Sequence, residues 1–403
     1  MKHFSISDHC RWIKGITGSA IYDLKQNQVY SVNKDGTDVL GTVLSGGGAP
    51  PGSLRFLEAL EQKGLLNDHS VQVVEYNVKP QLRYVWLELT NHCNCRCLHC
   101  YGAFGYPDRK DIADELTTDE WKKAIDQVRR LGGSAVQFIG GEPLIHRDFC
   151  ELLRYASESG LKRIDIFTNA YFMTEKTADL IAETKASVRV SLYGYNAETH
   201  DAITQCPGSF ERLDRALDML RERNIPVRIA VVLMLENQGI LPRIQEYIRA
   251  KGLRFTGYDI VRNVTHSAQA SHAVTDPEIR KKRLMCKPDF KTSPYTFARN
   301  HQWNSCWFGK LAITAKGDVI PCIFARDLPC GNIRKDSAES IREKLLQYWR
   351  ITKDSVEGCR DCEYRYACDD CRPLSMGEGG GLYGKYPRCL YVPETCRWEC
   401  QET

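Results

Sequence analysis

Three cysteines, Cys93, Cys97 and Cys100, stand in the run Thr90-Asn91-His92-Cys93-Asn94-Cys95-Arg96-Cys97-Leu98-His99-Cys100 as a C-x3-C-x2-C comb directly behind an apolar, strand-like stretch. Three thiolates leave one coordination position of a metal centre open. Structural zinc sites close on four protein ligands, whereas an iron-sulfur cluster held by three cysteines presents one iron to a cofactor or substrate. That open iron is where chemistry is expected. Cys95 lies inside the comb but out of register, and reads as a spare thiol.

Forty residues on, Gly140-Gly141-Glu142-Pro143 follows a second strand-like run. Paired glycines let backbone approach a ligand closely, and a carboxylate there can accept a bond from an ammonium group. Comb and turn together resemble the radical S-adenosylmethionine (radical SAM) family, with His99 at the variable position before the last cysteine. The resemblance implies that the open iron chelates the amino and carboxylate groups of SAM, and that reduction cleaves SAM to a 5'-deoxyadenosyl radical. It also implies cofactor contacts for Gly140, Gly141, Glu142, Pro143 and His99. Thr168-Asn169-Ala170 resembles the family's T-N-G segment near the ribose, with Ala170 in the glycine's place, and Ser191 matches the serine at the SAM carboxylate. Thr199-His200-Asp201 and Gly208-Ser209-Phe210-Glu211 resemble scaffold landmarks of the same branch, Ser209 being expected as a helix N-cap.

Eleven of the eighteen cysteines lie between Cys286 and Cys400. Cys306, then Gly317-Asp318-Val319-Ile320-Pro321-Cys322, then Cys359-x2-Cys362-x5-Cys368-x2-Cys371 and Cys389 closely resemble the SPASM extension, although the last internal gap is two residues where that family has three. The resemblance implies two auxiliary four-iron clusters beside the SAM-binding one. Cys359, Cys362, Cys368 and Cys389 hold the outer cluster in those terms, and Cys306, Cys322 and Cys371 the inner one. Cys286 or Cys330 could supply a fourth inner ligand. If neither does, the inner cluster also has an open iron.

The elements that must position these residues are legible as alternating apolar runs and amphipathic stretches. Strands are expected at 84–90, 135–139, 163–168, 188–193, 227–233 and 254–260, with helices between them, one starting at the capping box Thr117-Thr118-Asp119-Glu120. Six such units imply a parallel α/β sheet with right-handed crossovers, a partial (β/α)6 barrel. Residues 19–32 read as a β-hairpin, followed by helices near 37–44 and 53–63 around the breaker at 46–52. This small α+β, winged-helix-like lobe resembles leader-recognition domains of peptide-modifying enzymes. The division expected is 1–78 for that lobe, 79–265 for the radical SAM core, 266–299 for a linker carrying His272 (His266 lies at its very start) and 300–403 for the SPASM region.

Lys and Arg number 55 against 51 Asp and Glu, a net charge of +4, too small a field to argue for nucleic acid or a membrane surface. The N-terminal residues carry no signal-peptide core and no run approaches about 18 apolar residues, so a cytoplasmic protein is expected, its thiols reduced and used for metal. The reading that results is a peptide maturase: a radical SAM/SPASM enzyme that crosslinks a ribosomal precursor peptide bearing a leader, a thioether being preferred, with flavodoxin or ferredoxin as reductant. Carbon-carbon or ether crosslinking, epimerisation and sulfatase maturation stand behind it. A zinc-bound regulatory or nucleic-acid module is the reading from another class.

Overall fold

The computed structural model describes residues 2–105, 113–264 and 271–400; His266 lies outside them. The chain folds as two compact units that do not follow chain order. One contains Met1–Lys79, Lys282–Phe308 and Tyr348–Thr403, the other Pro80–Lys281 and Gly309–Gln347.

In the first unit, β1 (Cys10–Lys14), β2 (Ser19–Asp23) and β3 (Gln28–Val32) form an antiparallel sheet in that order. The expected hairpin is its β2–β3 half. The turn passes through Asn27 in the left-handed region (φ 58°), a conformation that asparagine tolerates. Helices α1 (Lys34–Leu44) and α2 (Leu54–Gln62) follow, and Asn33 caps α1 by accepting the Gly36 N–H. Their apolar faces close on the sheet, burying Ile21, Leu40, Leu57, Leu65 and Leu66.

The second unit is an α/β fold around a nine-stranded sheet. In chain order its elements are β4 (Tyr84–Glu88), α3 (Thr118–Arg130), β5 (Ala135–Ile139), α4 (Phe149–Glu158), β6 (Arg163–Thr168), α5 (Glu175–Glu183), β7 (Ser187–Leu192), α6 (Ala197–Thr204), α7 (Ser209–Glu222), β8 (Val227–Leu233), α8 (Leu241–Ala250) and β9 (Tyr258–Ile260). The six strands pair in parallel and in sequence order, the partial barrel that the alternating pattern predicts. β5 is buried at every position, as a central parallel strand covered on both faces must be. The capping box forms as expected at α3, with Thr117 and Glu120 bonding reciprocally.

Three strands were not anticipated in this sheet. β10 (Lys310–Ile313) joins β4 in parallel, and β11 (Asp318–Ile320) and β12 (Gly331–Asn332) extend it antiparallel. β9 is shorter than expected, pairing with β8 only over Tyr258–Ile260 at the far edge. Ser209 is the first residue of α7, not its cap. Gly208 occupies the N-cap position with no side chain, and Asp201 does the capping from the preceding helix, accepting from Gly208 N (2.6 Å), Phe210 N (2.8 Å) and the Ser209 hydroxyl (2.7 Å).

Candidate active site

The cysteine comb follows β4 and is pinned by backbone bonds on both sides. Gly141 N donates to Thr90 O (2.7 Å) and Glu142 N to His92 O (2.9 Å), while Arg96 N and Leu98 N reach Thr204 O and Ile203 O at the end of α6. The closeness explains the glycines. A Cβ at Gly140 meets Thr90 O at 2.5 Å, and one at Gly141 meets His92 O at 2.2 Å, so any side chain there pushes the two loops apart.

Glu142 is fully buried and ties the loop after β5 to the loop after β6. Its carboxylate accepts from Leu144 N (3.0 Å), the Thr168 hydroxyl (2.5 Å) and Asn169 N (2.7 Å). Burial pushes its pKa up to about 7, although these bonds pull the other way. Pro143 opens the short 3-10 turn that ends the loop. Asn169 crosses to the comb, donating to Asn94 Oδ1 (2.9 Å) with the Cys95 and Cys93 sulfurs at 3.5 and 4.0 Å. Ala170 sits at φ 63°, the left-handed conformation for which glycine is the default.

Cys93, Cys95 and Cys206 are buried in one cluster, with Cys97, Phe104 and Tyr171 packed against it. Cys95 N donates to the Cys93 sulfur (3.4 Å) and Phe104 N to the Cys100 sulfur (3.3 Å), an environment that suits thiolate ligands. Ser191 is buried near the end of β7, two residues before Tyr193. The His99 ring meets Tyr193 edge to face at 4.4 Å, and burial, with His272 and His200 adding to it, lowers its pKa to about 4. It is a neutral ring at ordinary pH.

Two groups at this site escaped the sequence reading. Glu88, at the end of β4, is fully buried and paired with Arg326, whose two terminal nitrogens lie 3.0 and 2.9 Å from Oε2. The same guanidinium lies over the rings of Tyr101 and Phe104, beside the last comb cysteine. A charge inside the apolar run Val85-Trp86-Leu87-Glu88-Leu89 was the signal available for Glu88. Arg326, 238 residues away, offered none. Cys206 is the other omission, brought to the comb by the pairing with the end of α6.

Residues 87–247 match the family model of the radical SAM superfamily, and residues 306–363 match that of the SPASM iron-sulfur cluster-binding domain. An AdoMet-dependent heme synthase of Methanosarcina barkeri is 30% identical over 346 residues, which cover 77% of this chain and 97% of that protein. The chain belongs to the radical SAM superfamily. Another relative is the subtilosin biosynthesis protein AlbA of Bacillus subtilis, 26% identical across 75% of this chain and 70% of its own. Among solved structures, Streptococcus suis SuiB bound to its precursor peptide SuiA superposes with a TM-score of 0.56 over 98% of this chain and 100% of that one, at 14% identity. The fold is therefore that of a radical SAM enzyme with a SPASM region, a class that uses SAM, a [4Fe-4S] cluster and auxiliary clusters.

In the SPASM region Cys359, Cys362, Cys368 and Cys389 line a single cavity with Met285, Phe290 and Lys353. Lys353 is almost fully buried, its ammonium 3.1 Å from Asp370 and 3.9 Å from the Cys368 sulfur. Such a cation offsets thiolate charge. Cys371 is the N-cap residue of helix Arg372–Gly377, and the Cys306 N–H donates to Asn304 Oδ1. Both belong to the first unit, and the buried Cys322, just beyond β11, to the second. Cys286 is disulfide-bonded to Cys400, with Cα atoms 5.8 Å apart. Cys330, the other thiol considered for the fourth inner position, is buried beside β12. Among the described residues no helix is long and apolar enough to cross a membrane.

Proposed function

We propose that this radical SAM enzyme modifies a ribosomally made precursor peptide, with a thioether crosslink as the preferred product. On this reading Cys93, Cys97 and Cys100 hold the SAM-binding cluster, and Gly140 to Pro143, Thr168, Asn169, Ser191 and His99 line the SAM side. Cys359, Cys362, Cys368 and Cys389 hold the outer auxiliary cluster; Cys306, Cys322 and Cys371 hold the inner one, with Cys330 or a substrate thiolate completing it. When bound, SAM and its cluster supply a carbon-centred radical that abstracts hydrogen from an unactivated position. The chain's own residues do the remaining work. Glu142 fixes the relative position of three loops, neutral His99 and Tyr193 provide an aromatic wall that excludes water, and the Glu88–Arg326 pair braces the comb. A flavodoxin or ferredoxin fits as electron donor.

The observation that carries the peptide reading is the N-terminal sheet. β3 is an edge strand whose Gln28 end bridges Lys291, and beyond that bridge the half-exposed Val29–Tyr30 edge is a template on which an extended leader can add a strand. The superposition on peptide-bound SuiB runs through this sheet, since it covers 98% of the chain.

A second reading, modification of an iron porphyrin, is favoured by the 30% identity across nearly the whole heme synthase. One experiment separates them. Anaerobically reconstituted enzyme, reduced with dithionite, is offered in parallel a short precursor encoded beside its gene and an iron porphyrin bearing propionates. The expected result is a peptide lighter by two hydrogens per crosslink, with 5'-deoxyadenosine formed in step, and no reaction once the leader is removed. Chemically altered porphyrin with unmodified peptide establishes the second reading instead.

A further inference from the structure

One end of the N-terminal sheet gathers donor atoms that neither the cluster sites nor the peptide reading uses. Cys10 pairs directly with Asp23 across β1 and β2, so their side chains share a face. His9, just ahead of β1, accepts the Leu24 N–H at its carbonyl. The Cys10 sulfur, a ring nitrogen of His9 and a carboxylate oxygen of Asp23 all lie within 4.8 Å of one another. The three residues are only 2%, 2% and 0% exposed.

Hydrogen bonding leaves this set incomplete. His9 Nδ1 and Asp23 Oδ2 are buried with no hydrogen-bond partner among the described residues. Asp23 Oδ1 is taken by the N–H groups of Lys25 (3.0 Å) and Gln26 (2.9 Å), which fixes the carboxylate while its other oxygen goes unused. His9 Nε2 is 3.8 Å from Oδ1, beyond hydrogen-bond range. A buried carboxylate beside an unbonded imidazole is costly unless a cation joins them.

We propose that His9, Cys10 and Asp23 form a binding site for a zinc-class divalent ion, with solvent at the fourth position and the Asp68 carboxylate at its rim. Asp68 Oδ2 lies 3.9 Å from His9 Nδ1, and its Oδ1 is held by the backbone and hydroxyl of Ser70. Its side chain is 27% exposed, which gives the ion a route in from solvent. One thiolate with one imidazole selects a borderline metal such as zinc over magnesium or calcium. Donors bound to one tetrahedral zinc at about 2.0–2.3 Å sit roughly 3.3–3.7 Å apart, so the set closes by about an ångström on binding. Cys10 loses its thiol proton to solvent as the bond forms. The ion staples the start of β1 to the end of β2, and the Asp68 segment already packs on that end: Asp68 O accepts the Asp8 N–H (3.1 Å), and Asp68 N donates to the Ser7 hydroxyl (3.0 Å).

The test uses the full chain, reconstituted anaerobically with iron and sulfide, supplied with zinc and desalted. Metal analysis is expected to find about one zinc per chain beyond the iron, and zinc-edge X-ray absorption one sulfur among nitrogen and oxygen neighbours. Cys10→Ala and the near-isosteric Asp23→Asn are each expected to lose that zinc at unchanged iron content. Zinc absent from the unsubstituted protein, or present in an all-sulfur shell, overturns the site, and this absorption measurement does not depend on any variant folding. Either of those results leaves the peptide reading standing.

Discussion

The comb behind β4 and the cysteine cavity of the SPASM region carry the same donor chemistry in opposite structural settings. The comb hangs between strand ends, laced by backbone bonds to the loop after β5 and the end of α6, and braced by a buried ion pair. The SPASM cavity is walled mostly by turns, with two strands of two residues each and the 3-10 turn Lys353–Ser355 among the short elements that line it. Backbone that already satisfies itself does not need iron to hold its shape. Backbone made of turns around four thiols does, as in other small metal-organised modules.

The largest expected effect tests that contrast directly. Replacing Cys93, Cys97 and Cys100 together by alanine is expected to abolish 5'-deoxyadenosine formation while the core keeps its protease resistance. Replacing Cys362 and Cys368 is expected to expose residues 348–400 to cleavage, mapped by mass spectrometry of limited digests. Equal resistance in the two variants refutes the contrast.

A middle-sized effect is expected at the brace. Arg326→Met leaves Glu88 buried without its cation, an arrangement that costs about 3–5 kcal/mol. Burial already raises the Glu88 pKa to about 7 with Arg326 opposing it, so the variant's value moves higher. A carboxylate with a raised folded pKa is tolerated while protonated, so stability is retained near the unfolded value and lost as pH rises through the folded one. Urea unfolding of Arg326→Met is therefore expected to show a larger deficit at about pH 8 than at about pH 6, and the added change Glu88→Gln to remove most of that pH dependence. A deficit independent of pH assigns Arg326 to packing on Tyr101 and Phe104 alone.

These two regions also divide what could be read in advance. β5, β6 and β8 were legible to the residue because their signals are local: apolar runs bounded by polar or turn residues. The α3 capping box was legible for the same reason. β10 was not, because Lys310–Ile313 becomes a strand by pairing with β4, more than two hundred residues earlier. Likewise Asp201 capping α7, Arg326 on Glu88 and Cys206 beside the comb are tertiary arrangements that no short window contains. β1 was missed because Cys10-Arg11-Trp12-Ile13-Lys14 lacks alternation and earns its place as the outer strand of a sheet. The cysteine spacings, by contrast, survive any fold, which is why the comb and the SPASM order stood out first.

The smallest effect concerns protons on the comb's side of the comparison. His200 is buried in α6, its ring stacked on Tyr193 and its Nδ1 accepting the Tyr193 N–H at 3.2 Å. Burial lowers its pKa from 6.5 to about 4, Asp201 opposing, and His99 is lowered to about 4 in the same way. Between those values the unfolded chain binds protons that the folded chain refuses. Stability is therefore full above the unfolded pKa and falls as pH drops below it, by up to about 1.4 kcal/mol per pH unit for each ring. His200→Asn keeps an acceptor for the Tyr193 N–H and removes one of the two rings. Its unfolding midpoint is expected to fall less steeply than that of the unsubstituted chain from about pH 6.5 toward about pH 5.5, with little difference near neutrality. An unchanged slope means that His200 already takes its proton in the folded state.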